Sequence, residues 1–190
     1  MSKYKVSLKW KADSEDFSYK KYNRTHQWTF GGGSSVKASA APEYLGNAEY
    51  ANPEEAFAAS LASCHLLTFL AIASYKKYQL NTYEDEVTAI VEKNKNNKLA
   101  VTKVILRPRV AFTGEKAPDE TELKKMHEKA HAECFISNSV LTEVVVEPQD
   151  QERVSGNNAD QTDSFGPVAG SRSQNVESAE EMKERERSDD

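Results

Sequence analysis

Near the start of the chain, Tyr4, Val6, Leu8 and Trp10 alternate with Lys3, Lys5, Lys9 and Lys11. That period of two predicts a half-buried strand. His26, Trp28 and Phe30 repeat the pattern, Gly31-Gly32-Gly33 supplies a turn, and Val36, Ala38 and Ala40 continue as the pairing strand. Residues 41–52, with Pro42, Gly46 and two Asn, read as a loop. The period then changes. Asn52 suits a helix N-cap, Pro53 the first helical position, and Glu55 stands three residues past the cap. A long apolar helix is therefore expected from there to about Lys76.

Beyond it, Val87, Ala89 and Val91 alternate in a strand, and residues 94–98 form a polar turn. Val101 to Phe112 reads as a longer partner strand disturbed at Pro108. Asp119 to about Cys134 carries a helical stripe at Leu123, Met126, His127, Ala130 and Cys134. Val140, Thr142, Val144 and Val146 give a closing strand. The expected order is βββ–α–ββ–α–β, an α+β domain rather than alternating βαβ units.

Charge divides the chain unevenly. Residues 149–190 hold eleven acidic and five basic residues, a net of −6, and a single aromatic, Phe165. Such a segment buries too little apolar surface to offset its ordering entropy. The organisation expected is a domain over 1–148 and an acidic, disordered tail over 149–190. With 19 acidic and 20 basic residues, the body is close to neutral, which argues against a nucleic-acid partner. There is no Walker-type loop or dinucleotide fingerprint. No continuous apolar leader precedes Trp10. Residues 56–75 approach the length of a membrane span but include Ser60, Ser63, Cys64, His65, Thr68 and Ser74. A buried core helix fits them better than a membrane one. A soluble, cytoplasmic protein follows as the expectation.

Two cysteines are too few for a disulfide scaffold. Each lies on an apolar helix, so each reads either as a small core hydrophobe or as a reactive thiol. Only a thiolate is a good nucleophile, and burial raises a thiol's pKa, so a reactive Cys64 needs a cation aimed at it. Arg24 is a candidate cation; as an alternative it is a surface arginine. Glu54 and Glu55 complement the helix start. Glu54 and Cys64 are ten residues apart on one helix, about 15 Å of rise, so they cannot touch. If both serve one site, a second subunit must complete it, and a two-fold dimer would build two such sites. His127, His131 and Cys134 share one helix face in a His-x₃-His-x₂-Cys pattern, a weak candidate for a metal.

The segment Asn52-Pro-Glu-Glu-Ala-Phe-Ala-Ala-Ser-Leu-Ala-Ser-Cys64-His resembles the central-helix signature of the OsmC/Ohr family, the osmotically inducible and organic hydroperoxide resistance proteins. Residues 16–26, with Arg24, resemble its N-terminal arginine region, and residues 127–140 the region of its second cysteine. The resemblance implies an intertwined homodimer with a long buried central helix and sites at the subunit interface. It implies a thiol peroxidase reducing organic hydroperoxides in oxidative stress defence, with no bound cofactor and an external dithiol reductant. Cys64 then takes the place of the peroxidatic cysteine and Cys134 that of the resolving cysteine. Arg24 matches the thiolate-stabilising arginine and Glu54 the carboxylate that positions it. His65 and Phe135 depart from the usual pattern beside each cysteine. The alternative is a metal- or small-ligand-binding stress protein on the same fold.

Overall fold

A computed structural model describes residues 1–149 and the backbone of residues 152–153. The chain begins with an antiparallel meander of β1 (Val6–Lys9), β2 (His26–Phe30) and β3 (Ser35–Ala38). At the tip, Phe30 N donates to Ser34 O, and Gly33 takes the positive φ of 88° that the tight turn needs. The loop after β3 folds so tightly that a Cβ on Gly46 would lie 1.6 Å from the Ala40 carbonyl oxygen, so only glycine fits.

Helix α1 (Pro53–Tyr75) opens on a reciprocal cap. Glu55 N donates to Asn52 Oδ1 at 2.8 Å, and Asn52 N donates to Glu55 Oε2 at 3.1 Å. It closes with Lys77 at φ 60°, where Tyr78 N reaches Ala73 O and Lys77 N reaches Ser74 O. Those two bonds satisfy carbonyls the helix end would otherwise orphan. Four strands follow: β4 (Gln79–Asp85), β5 (Thr88–Lys93), β6 (Leu99–Leu106) and β7 (Pro108–Thr113). Then come α2 (Glu120–Glu133), capped by the Asp119 carboxylate, a short 3₁₀ turn at Ser137–Ser139, β8 (Glu143–Val146) and β9 (Glu152–Arg153). The architecture is a mixed α+β fold with two α-helices and three three-stranded sheets among the described residues.

The observed order, βββ–α–ββββ–α–ββ, corrects the expected one in three places. β4 is additional. Its register slips between Leu80 and Thr82, so Leu80 and Tyr83, three residues apart, both turn inward and no alternation survives in the sequence. The expected strand over Val101–Phe112 is two strands in two sheets. β6 pairs with β5 and β8; β7 pairs with β4 and β9. The switch falls where Pro108 has no N–H to give. Asp85 accepts from the Arg107 amide at 2.6 Å and holds the corner. Third, Gln149 N donates to Pro108 O, and residues 152–153 pair in parallel with β7, past the boundary expected at 148. The rest of the expected tail lies outside the described residues.

Two apolar clusters fill the body. Phe69, Ile72 and Ala73 of α1 meet Val110 and Phe112 of β7 and Leu123, Met126 and Ala130 of α2. Ala58 and Leu61 of α1 meet Val104 and Leu106 of β6. The buried stripe of α1 thus runs through Ala58, Leu61, His65, Phe69 and Ile72, at helical spacing. Two apolar surfaces are left uncovered within the protomer. One is the N-terminal sheet, where Val6 and Leu8 are more than half exposed rather than half-buried as a core strand would be. The other is the far side of α1, where Leu67 and Leu70 face outward. By length and composition α1 is long and apolar enough to cross a membrane. Its packing against α2 and the sheets makes it the central helix of this domain.

Candidate redox site

Cys64 lies one residue off the buried stripe of α1, which rotates its side chain to the edge of the helix interface and leaves it half-buried. Cys134 is the C-cap of α2 and is completely buried. The packing of α1 on α2 brings the two thiols within hydrogen-bonding reach of each other, and both are free. The main-chain amides of Ile136 and Phe135 face the Cys64 sulfur. Ser137 N donates to Cys134 Sγ at 3.4 Å.

The surroundings bias the two thiols in opposite directions. Burial, followed by the hydrogen bond with Cys134, pushes the Cys64 thiol up against the pull of the two amides. Burial also acts to raise Cys134, but the hydrogen bonds from Cys64 and Ser137 outweigh it and bring that thiol down. In one protomer, access and ease of ionisation therefore fall on different atoms. Cys64 can be reached, and Cys134 is the better thiolate.

Arg24 and Glu54 are not brought to the sulfurs. Arg24 donates to Tyr19 O at 2.7 Å and to Tyr22 O at 3.0 Å, and its guanidinium lies 4.1 Å over the Tyr22 ring. It lines a cavity of about 620 Å³ with Leu8, Trp10, Phe17 and Pro53, beside the start of α1. Glu54, in the first turn of α1, lines a separate cavity with Tyr44 and Val87. No ion pair joins Arg24 to Glu54 among the described residues. The protomer thus assembles two of the four candidate side chains, and the other two stand at the opposite end of the same helix segment.

The histidine pattern resolves differently from the weak metal-ligand candidate its spacing offered. His127 turns to His65, not to a metal set: His65 Nε2 and His127 Nδ1 are 3.1 Å apart and the rings are parallel within 3°. Cys134 leaves the helix at its cap with extended backbone and joins Cys64 instead. Among the described residues no three His, Cys, Asp or Glu side chains group as a metal set. Burial, aided by neighbouring imidazoles, pushes His65 down to about 4 and His127 to about 3. Both rings are neutral at physiological pH. Sequence reasoning missed this pair. The available signal was His65's place on the apolar stripe with Leu61 and Phe69.

The family model for OsmC-like proteins matches residues 46–149. A comparison with curated proteins returns no match. An OsmC-like protein of unknown function from Vibrio cholerae is 46% identical over 78% of this chain and 100% of its own, with a TM-score of 0.76. An organic hydroperoxide resistance protein from Legionella pneumophila is 20% identical over 82% of this chain and 99% of its own, TM-score 0.56. That of Bacillus subtilis is 18% identical over 78% and 98%, TM-score 0.54. The last two likenesses show the fold, and the first shows kinship along the whole body. This chain belongs to the OsmC-like family.

Proposed function

We propose that the protein is a thiol-dependent peroxidase that reduces organic hydroperoxides to alcohols. The observation that carries this reading is the pairing of an accessible Cys64 with a sealed Cys134 across the α1–α2 interface. A substrate can reach one sulfur, and the other waits within bonding reach. Two inert core thiols would have no need of that arrangement.

The hydrogen bond between the thiols lets Cys134, once ionised, take the Cys64 proton. The Cys64 thiolate attacks the terminal oxygen of ROOH, the O–O bond breaks, and the alkoxide leaves as ROH after taking a proton. Cys64 becomes a sulfenic acid, oxidised by two electrons. Cys134 then attacks that sulfur, a disulfide forms, and hydroxide departs as water with the Cys134 proton. A dithiol from solution reduces the disulfide by exchange and is itself oxidised. Reducing conditions such as the cytoplasm supply such a dithiol.

Favouring the thiolate on Cys64 over Cys134 calls for a cation near Cys64. A guanidinium remains charged and can hold a thiolate and a carboxylate together. In this reading Arg24, oriented by Glu54, serves that purpose in a homodimer. Its partner copy also covers Val6, Leu8, Leu67 and Leu70, which the protomer leaves exposed. The hydroperoxide's alkyl group and the Ala- and Leu-rich wall of α1 suit each other.

The test is a free-thiol count on reduced protein after one equivalent of cumene hydroperoxide, with hydrogen peroxide alongside. Loss of both thiols, faster with the organic peroxide, is expected. Cys64→Ser should abolish peroxide consumption. Survival of both thiols, or normal turnover in Cys64→Ser, would overturn the proposal.

A further inference from the structure

The turn after Cys134 is tied more heavily than its length requires. Asn138 Nδ2 donates to Ala132 O at 2.8 Å and to Cys134 O at 3.0 Å, and Asn138 N also reaches Cys134 O at 3.0 Å. Ser139 Oγ donates to Phe135 O at 2.7 Å, and Ser139 N donates to Ile136 O at 3.0 Å. The carbonyls of Ala132, Cys134, Phe135 and Ile136 are thereby all held. A peptide plane whose carbonyl is fixed has its N–H direction fixed too. The amides that follow aim at the sulfurs: Phe135 and Ile136 at Cys64, Ser137 at Cys134.

We propose that the amides of Phe135, Ile136 and Ser137 form a wall that holds the negative charge of the sulfur pair, and that Asn138 and Ser139 are the positioning residues that aim it: Asn138 through the Cys134 carbonyl, Ser139 through those of Phe135 and Ile136. The inference rests on the peroxidase reading for its purpose, but not for its geometry. Amides cannot titrate away, and a thiolate accepting several of them is stabilised as a carboxylate would be. The wall also spans both sulfurs. The proton can pass from Cys64 to Cys134, and the charge back to Cys64, without leaving these donors. Arg24 then selects which sulfur bears a charge the turn already holds, so the pair should ionise even where Arg24 is absent.

Cys64→Ser protein isolates Cys134 and keeps a hydroxyl beside it as a donor. Ultraviolet titration of its thiolate should give a midpoint below the ordinary thiol value of about 8.5. Adding Ser139→Ala, which frees the Phe135 carbonyl and so the Ile136 amide that also faces Cys134, should move that midpoint up by on the order of one pH unit, about tenfold less thiolate near neutrality. In reduced wild-type protein, the amide resonances of Ile136 and Ser137 should shift with the same midpoint as the thiolate absorbance, which needs no variant to fold. An unmoved midpoint in a folded Ser139→Ala protein, or amides that stay still while the thiolate forms, would overturn the wall. If the amides move but hydroperoxide is not consumed, the wall stands and the peroxidase reading falls.

Discussion

Cys64–Cys134 and His65–His127 cross the same interface between α1 and α2, from adjacent positions on α1, yet their surroundings are opposite. Three main-chain amides face the sulfurs. The imidazoles have only each other, with His65 Nδ1 and His127 Nε2 buried and without a hydrogen-bond partner among the described residues. Phe69, itself fully buried, stacks on His127 with ring centres 4.3 Å apart. One helix interface thus prepares one pair to carry charge and the next pair to refuse it. The difference comes from the element each pair ends on. The sulfurs meet where α2 stops and its backbone opens, while the imidazoles meet in mid-helix, where every nearby N–H is already spent on the helix ladder.

Acid should break this contrast most severely. Both imidazoles ionise near 6.5 in the unfolded chain but only at about 4 and about 3 when folded. Their folded values are depressed, so the unfolded state gains protons first as pH falls. Stability is full above 6.5 and drains progressively down to about 3. The loss approaches roughly 3 kcal/mol from His65 and 5 kcal/mol from His127 as upper bounds. Denaturant unfolding of wild-type protein and of the double variant His65→Leu/His127→Leu, from neutral pH downward, measures it. The double variant should lack most of the slope. Equal slopes would place the acid sensitivity elsewhere.

Emptying the core beside the imidazoles comes next. Phe69→Ala should cost about 3–5 kcal/mol, since the ring is fully buried in the larger core cluster. It should also admit water to His127 and flatten the acid slope. A large loss with an unchanged slope would separate packing from desolvation and show that the imidazoles' low values do not depend on Phe69.

A smaller effect tests the hydrogen bond itself. Removing one imidazole by His127→Leu strands another nitrogen in the core, on His65, and should cost about 1–3 kcal/mol at neutral pH. The double leucine variant should recover part of that, because no polar atom is then left unpaired. A double variant worse than either single would mean that the histidines stabilise the neutral protein as a pair.

The elements themselves show how far this contrast was readable beforehand. Both helices of the interface were legible, because Asn52-Pro53-Glu55 and Asp119 announce their starts and the apolar stripes run unbroken. The meeting of Cys64 with Cys134 followed from those stripes and from the family resemblance. The histidine pair did not, because spacing within one helix, such as His127 and His131 at i, i+4, carries no information about a partner 62 residues off. The amide wall left no trace either, since main-chain donors have no signature in side-chain types. Where β4 carries its bulge, and where the chain changes sheets at Arg107, periodicity failed for the same reason: pairing with a distant strand overrode the local pattern. Arg24 and Glu54 stayed apart from the sulfurs within one protomer, as the rise of α1 requires.

The least consequential change lies at the far end of the same interface. Lys76 Nζ and Glu122 Oε1 are 2.7 Å apart, another contact between α1 and α2, with 43% and 26% of their side chains exposed. Water already solvates both groups when apart, salt screens them, and two long side chains must be ordered to bring them together. Glu122→Gln should therefore leave the melting temperature almost where it was, with any small shift vanishing in high salt. If it instead destabilised the protein as much as His127→Leu, the ranking of the three pairs by burial would fail. Closeness of approach would then be the better guide, and the 3.1 Å bond between the histidines would have to be counted as stabilising in its own right.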